Sequence, residues 1–341
     1  MLLTRLSEAA GIPGQEGEVR GLIRSEVGEF ADEIRVDPIG NLIVLKRGRR
    51  GGRSVMVAAH MDEVGLMVVG FDSSGLLHFK TAGGVDPRVL VSKTVLVGRN
   101  KYPGVIGSKP VHLQKKDEME RTLEVNSLFI DIGAKDKDDA KKMVNIGEQA
   151  VFATKCEPIG EGFIKGKGFD DRAGCAVLVE ALRTRYDFDL WAVFTAQEET
   201  GVRGAGVAAH TIRPDLALVL DGTTAHDLPK TPEHARSSIP GLGPVIVHRD
   251  KSVVADRRIV SRLVEVAEAS GIPYQFKRSI TGGTDAGKIH QTGEGIPTGV
   301  LSIPCRFIHS PVSVMSTKDF ANHAALVGRF LASLDERGWP V

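Results

Sequence analysis

Apolar residues recur along this chain in two registers. Over residues 16–30, Val19, Leu22, Ile23 and Val27 fall at helical spacing after the Pro13-Gly14 turn, which predicts an amphipathic helix with a packing role. Residues 41–45 and 54–59 are short, β-rich apolar runs divided by a basic, glycine-bearing turn, and they predict two strands paired with each other. The second run is nearly all apolar, as a strand buried on both faces must be, and it ends in His60-Met61-Asp62-Glu63. If the chain stays extended there, His60 and Asp62 share a face, so a carboxylate could orient an imidazole that binds a metal.

The pattern changes over residues 68–160. Short alternating segments at 76–80, 94–97 and 127–130, with frequent glycines, predict a small all-β domain inserted between the parts of a larger one at 1–67 and 161–341. The charged run at 115–121 mixes signs in Lys115-Lys116-Asp117-Glu118 and reads as a solvated loop. His78 and His112 lie in this insert without an acidic ligand set, so no chemistry is assigned to them.

After Gly160 helices and strands alternate again. An apolar helix is predicted at 173–182, with Asp170 and Asp171 at its mouth, and buried strands at 190–196, 216–220 and 299–303. A helix at 256–270 carries Ile259, Val260, Leu263, Val264 and Ala267 on one side. The last helix starts near Ser316 or Thr317, with Asp319 as its capping-box acid, and buries Phe320, Leu326, Val327, Phe330 and Leu331.

Charge narrows the partners. With 44 basic and 43 acidic residues the net charge is +1, so nothing draws the whole chain to nucleic acid or to an anionic membrane, and a small or mixed-charge molecule is expected. The three cysteines, Cys156, Cys175 and Cys305, are odd in number and scattered, which suits buried thiols in a reducing, cytoplasmic compartment. Met1-Leu2-Leu3-Thr4-Arg5-Leu6 meets polar residues too soon for a signal peptide, and no apolar run approaches the roughly 20 residues of a membrane span.

Candidate chemistry gathers at the ends of elements. Buried strands end at His60, at Glu198-Glu199 and at Asp221, and two further connections carry Asp170 and His309. Each has an ordinary explanation alone: a hydrogen-bonded histidine, a solvated acidic pair, a turn, a helix N-terminus, a loop residue. Ligands of open α/β sheets, however, bind beyond the carboxyl ends of the strands, a location that brings distant residues into one pocket. Two histidines and three carboxylates form a ligand set for two zinc or cobalt ions, with Asp170 shared between them and Glu198 spare as a base.

Taken in order, His60-Met61-Asp62-Glu63-Val64-Gly65, Gly168-Phe169-Asp170-Asp171-Arg172, Gln197-Glu198-Glu199, Asp221-Gly222, Gly282-Gly283-Thr284-Asp285 and Arg306-Phe307-Ile308-His309-Ser310-Pro311 resemble the motifs of the self-compartmentalising tetrahedral aminopeptidases. That family includes glutamyl and deblocking aminopeptidases, and some members carry endoglucanase labels. The resemblance runs over nearly the whole chain, with one departure: Asp171 stands where many relatives have Asn. It implies a three-layer α/β/α catalytic domain of the phosphopeptidase or di-zinc exopeptidase kind, interrupted by a β-rich domain that mediates dimerisation, with dimers assembling into a tetrahedral dodecamer. It also implies that His60, Asp170 and Asp221 hold one divalent metal and Asp170, Glu199 and His309 the other, that Asp62 orients His60, and that Glu198 is the general base and later acid. The activity implied is removal of N-terminal residues from short peptides by a metal-activated water. A related metal-dependent hydrolase of acyl-amino acids or glycosides, and a catalytically silent assembly protein, are the alternatives. Gly282 to Asp285 is a candidate loop beside the substrate, and Arg203, Arg249, Lys251 and Lys288 are candidate cations for an acid-selective pocket.

Overall fold

The computed structural model describes residues 1–341 apart from the side chains of Asp117 and Glu118, so that part of the charged run lies outside the described residues. The chain opens with helices α1 (Leu2–Glu8) and α2 (Gly17–Val27) and strands β1 (Glu33–Val36), β2 (Leu42–Lys46) and β3 (Ser54–His60). Six strands follow, β4 (Gly65–Phe71), β5 (Leu77–Ala82), β6 (Thr94–Val97), β7 (Tyr102–Gly107), β8 (Phe129–Asp131) and β9 (Gln149–Phe152), with short helices α3 (Lys116–Met119) and α4 (Lys137–Met143) among them. One turn of helix therefore lies inside the run expected to be a loop.

From β9 the chain continues through β10 (Glu157–Pro158), β11 (Phe163–Gly166), α5 (Phe169–Ala181), β12 (Asp189–Thr195), α6 (Arg203–Ile212) and β13 (Leu216–Thr224). It ends with β14 (Val245–Ile246), α7 (Arg257–Ser270), β15 (Gln275–Phe276), α8 (Ala286–Ile289), β16 (Thr298–Arg306), β17 (Ser313–Ser316) and α9 (Thr317–Arg337).

The large sheet has 11 strands in the order β1-β2-β12-β3-β13-β16-β17-β11-β10, with β14 and β15 attached at β16. Its centre, β12-β3-β13-β16, is parallel, and antiparallel strands flank it. Alternation along β3 explains why the centre is buried on both faces. Val55, Val57 and Ala59 join a core with α1, α2, α5, α7 and α9, whereas Met56 and Ala58 join a second core with α6 and α8. The fold is thus α/β/α.

The expectation that β2 and β3 pair is corrected: β12 lies between them, antiparallel to β2 and parallel to β3. The connection between them is held against the residues that lead into β12. Arg49 and Arg50 donate backbone N–H bonds to Tyr186 O and Asp187 O, and Gly48 N–H bonds the Asp189 carboxylate at 2.7 Å. That anchoring spaces β2 and β3 a strand apart. A second correction concerns Asp319. Ser316 caps α9 through the Asp319 N–H as expected, but the Asp319 carboxylate accepts from Gly241 N (2.6 Å) and Gly243 N (2.8 Å) rather than closing a capping box.

Strands β4 to β9 close into a barrel with its own core, which includes Leu66, Val68, Phe79, Val95, Ile106 and Ile130. A small seam of Ala10, Ile12, Ala82 and Val151 joins it to the main body, and Ile12 N–H reaches Gln149 Oε1 at 3.1 Å. Among the described residues no helix is long and apolar enough to cross a membrane.

Helix α9 is held to the sheet by its buried apolar stripe, in which Phe330 is 0% exposed. Phe330→Ala is expected to lower stability by about 3–5 kcal/mol, read from the shift in chemical denaturation midpoint at constant slope.

Candidate metal centre

Parallel register brings the polar strand ends level. His60 closes β3 opposite Thr195 of β12, and Asp221 lies in β13 on the other side of β3. Glu198 and Glu199 follow β12 after Gln197, whose φ of 61° turns the chain back over the strand ends. Asp170 precedes the regular part of α5, and the Asp170-Asp171 peptide is cis. His309 lies in the loop after β16, where Phe307 and His309 both have left-handed φ, of 59° and 57°.

These side chains meet. His60 Nε2 lies 2.9 Å from Asp170 Oδ1 and 3.9 Å from Asp221 Oδ1, while His309 Nε2 lies 3.2 Å from Asp170 Oδ2 and 3.3 Å from Glu199 Oε2. Among the described residues two groups could hold a metal ion, His60-Asp170-Asp221 and Asp170-Glu199-His309, with the donor atoms of each within 4.8 Å of one another. Asp170 belongs to both. Gly222 makes room for it, because a Cβ there would approach Asp170 Cβ to 2.8 Å.

Two neighbouring aspartates also hold main chain. Asp62 accepts the backbone N–H groups of Glu198 and Glu199, each at 3.0 Å. His60 Nδ1 is nearer the Asp62 carbonyl oxygen (3.1 Å) than its carboxylate (3.6 Å), so the carboxylate chiefly holds the Glu198-Glu199 turn. Asp171 accepts His60 N–H (3.2 Å) and Gly174 N–H (2.9 Å), which locks the end of β3 to the start of α5. Its place in the Asp170-Asp171 pair was the only sequence signal for this.

Beneath them lies a buried ionic network that reading the sequence missed. Lys167 Nζ meets Glu63 Oε1 at 2.5 Å and Ala9 O at 2.9 Å, and Arg172 donates to the carbonyls of Leu6, Ala9 and Gly11. It ties the α1–α2 connection under the residues that flank Asp170. Glu63 and Arg172, both inside the quoted motifs, were its visible trace.

Electrostatics distinguishes the candidate ligands. Burial, and then the Asp170 charge, pushes the Asp221 carboxyl well above its usual range and Glu199 up to about 8. For His60 burial opposes the cation, but Asp170 and Asp62 prevail and hold it well above the ordinary value. His309 rises to about 9 against the same opposition, through Asp170 and Glu199. Asp170, despite burial, is held well below its usual value by His309 and His60. So many buried carboxylates at close quarters need cations beside them. Glu199 Oε1 is also buried without a hydrogen-bond partner, and the imidazole and carboxylate donors suit zinc or cobalt, so the residues fit a pair of such ions.

A cleft of about 310 Å³ opens on this cluster, with Asp170, Glu198, Asp221 and His309 in its lining. Gly282, Gly283 and Thr284 line it too, and Asp285 anchors them, its carboxylate accepting the Thr195 hydroxyl at the end of β12. Arg203, Arg249, Lys251 and Lys288 are not in the lining, because the cleft is built from the ends of β13, β15 and β16 and their loops.

Residues 40–326 match the family pattern described as M42 glutamyl aminopeptidase. The chain belongs to the M42 family. It is 33% identical to a lysyl aminopeptidase of Pyrococcus furiosus, over 98% of this chain and 96% of that protein. A TET aminopeptidase from the marine sediment archaeon Thaumarchaeota archaeon SCGC AB-539-E09 superposes with a TM-score of 0.94 at 35% identity, covering 99% of this chain and 96% of the other. The TET1 peptidase of Pyrococcus horikoshii, described as assembling into a tetrahedron or a large octahedral shell, superposes at 0.85 with 31% identity, over 96% and 98% of the two chains. This M42 chain is a metallo-aminopeptidase, and its candidate metal-binding groups are those at the strand ends.

Gly222→Ala should displace Asp170 while leaving the helical core in place. The expected outcome is an unchanged far-ultraviolet circular dichroism spectrum with a clear loss of zinc or cobalt retained after gel filtration.

Proposed function

We propose that this M42 chain removes single residues from the free N-termini of short peptides, using two divalent ions, zinc or cobalt, in each subunit. One observation carries the proposal: Asp170 offers one oxygen to each of two imidazole-bearing groups, while Glu198 lies in the same cleft outside both. In this reading His60, Asp170 and Asp221 hold one ion, and Asp170, Glu199 and His309 hold the other. When bound, such ions supply Lewis-acid chemistry that polarises the scissile carbonyl and acidifies water.

The remaining work belongs to side chains. Glu198 takes a proton from the attacking water and delivers it to the departing amine. Asp62 places it for both transfers by holding the backbone of Glu198 and Glu199. Burial, first of all, raises the Glu198 carboxyl well above its usual range, as suits a group that must keep the proton between the two transfers. The cleft of about 310 Å³ beside Glu198 is where the peptide would lie in this reading.

Two histidines among the carboxylates weigh against a glycosidase, which normally places two carboxylates across the sugar without bound cations. Glu198, spare in the cleft, weighs against a silent assembly protein. For the architecture we take 1–67 and 161–341 as the catalytic domain and 68–160 as the inserted dimerisation domain, with dimers building a tetrahedral dodecamer. Support comes from the separate barrel core and from the tetrahedron described for the Pyrococcus horikoshii peptidase. Three free, buried cysteines support a cytoplasmic setting.

The direct test is hydrolysis of a leucine-initiated peptide, free or acetylated at its N-terminus, by metal-stripped protein with and without added zinc or cobalt. Cleavage of the free peptide alone, dependent on metal, is expected; metal-independent cleavage would overturn the proposal. Glu198→Gln should lower turnover by about 10²–10⁴-fold with bound metal largely intact. Metal analysis of Asp170→Ala should show both ions lost, whereas Asp221→Ala should retain the ion on the Glu199 and His309 side.

A further inference from the structure

Beyond the candidate ligands and Glu198, the cleft lining holds neither aspartate nor glutamate, and it holds one lysine or arginine, Lys277. Lys277 is half-buried just past β15, its backbone N–H bound to Ile246 O at 3.2 Å. Among the described residues its ammonium has no carboxylate within 4.0 Å and no hydrogen-bond partner. The other strong cation of this region, Arg306, is already engaged, paired with Asp227 and lying over the Phe163 ring at 5.2 Å. Threonine hydroxyls of Thr223, Thr224 and Thr281 line the same cleft, and Ile308 is its one aliphatic side chain.

We propose that Lys277 anchors a carboxylate of the substrate, held away from the scissile bond. The proposal rests on the aminopeptidase reading above. The ligand carboxylates and Glu198 together balance two divalent ions, so the centre leaves no charge for Lys277 to neutralise. An ammonium in the cleft lining without a counter-ion is free to pair with an incoming anion, and a carboxylate is the anion that peptides carry. A lysine or arginine side chain beside Lys277 would meet a like charge, which an acidic group would not.

Two parts of a peptide carry that carboxylate: the side chain of an acidic N-terminal residue, and the C-terminus of a dipeptide. Two matched pairs separate them, Glu-Ala-amide with Gln-Ala-amide, and Leu-Ala with Leu-Ala-amide, assayed on the zinc- or cobalt-loaded full chain. In the wild type one pair should favour its carboxylate member by about tenfold or more in kcat/KM. In Lys277→Met that ratio should fall to about one, and in Lys277→Arg a preference should persist. Because each ratio is taken within one variant, a loss of folded enzyme does not imitate the result. Equal cleavage within both pairs by the wild type, or a preference that survives Lys277→Met, would overturn the assignment alone. Failure of the wild type to cleave any of the four would overturn the aminopeptidase reading with it.

Discussion

The parallel pairing of β12, β3, β13 and β16 is the constraint on which the rest of the molecule depends. These strands are apolar on both faces, so they are stable only at the centre of a sheet with helices on each side. The histidine and carboxylates that they bring to the site therefore come at their carboxyl ends, where the chain leaves the sheet. Parallel alignment sets those ends side by side, which places His60, the Glu198-Glu199 turn and Asp221 within reach of one another. The burial that holds the sheet together also assembles the site.

Gathering so many acids in one buried place is unfavourable unless each charge is answered, and the structure answers them in three ways. Asp62 and Asp171 accept backbone N–H groups and become braces for the strand ends. Glu63 is paired with Lys167 and Arg172. Asp170, Glu199 and Asp221 have neither arrangement; Asp170 and Glu199 lie against imidazoles, and Asp170 and Asp221 open to the cleft. This difference in partners, rather than residue type, separates supporting carboxylates from candidate ligands.

The barrel is more than an appendage to this arrangement. Gly83 and Gly84 follow β5 and pass beside the site: a Cβ on Gly83 would lie 3.3 Å from Glu199 Cβ, and one on Gly84 would lie 3.6 Å from His309 Nδ1. Gly83 also has a φ of +85°, a conformation that other residues adopt at a cost. The segment that leaves β5 of the inserted barrel thus passes close to the candidate centre at two glycines.

Sequence by itself determined the alternation of helix and strand, the separate β-rich character of the insert, the burial of β3 and β12, and the family, because each of these is written in local periodicity or in short motifs. It also named the residues that gather at the strand ends, since a polar cluster after an apolar run is visible in one dimension. Strand order was not visible: β12 lies between β2 and β3 because the connection between those two strands bonds to residues near 186–189, far away in the chain. Nor were the backbone N–H partners of Asp62, Asp171 and Asp319 visible, or the selection of Lys277 over Arg203, Arg249, Lys251 and Lys288 for the cleft. A side chain's type says what it can bond. Which groups stand opposite it is decided only when strands and loops distant in sequence pack together.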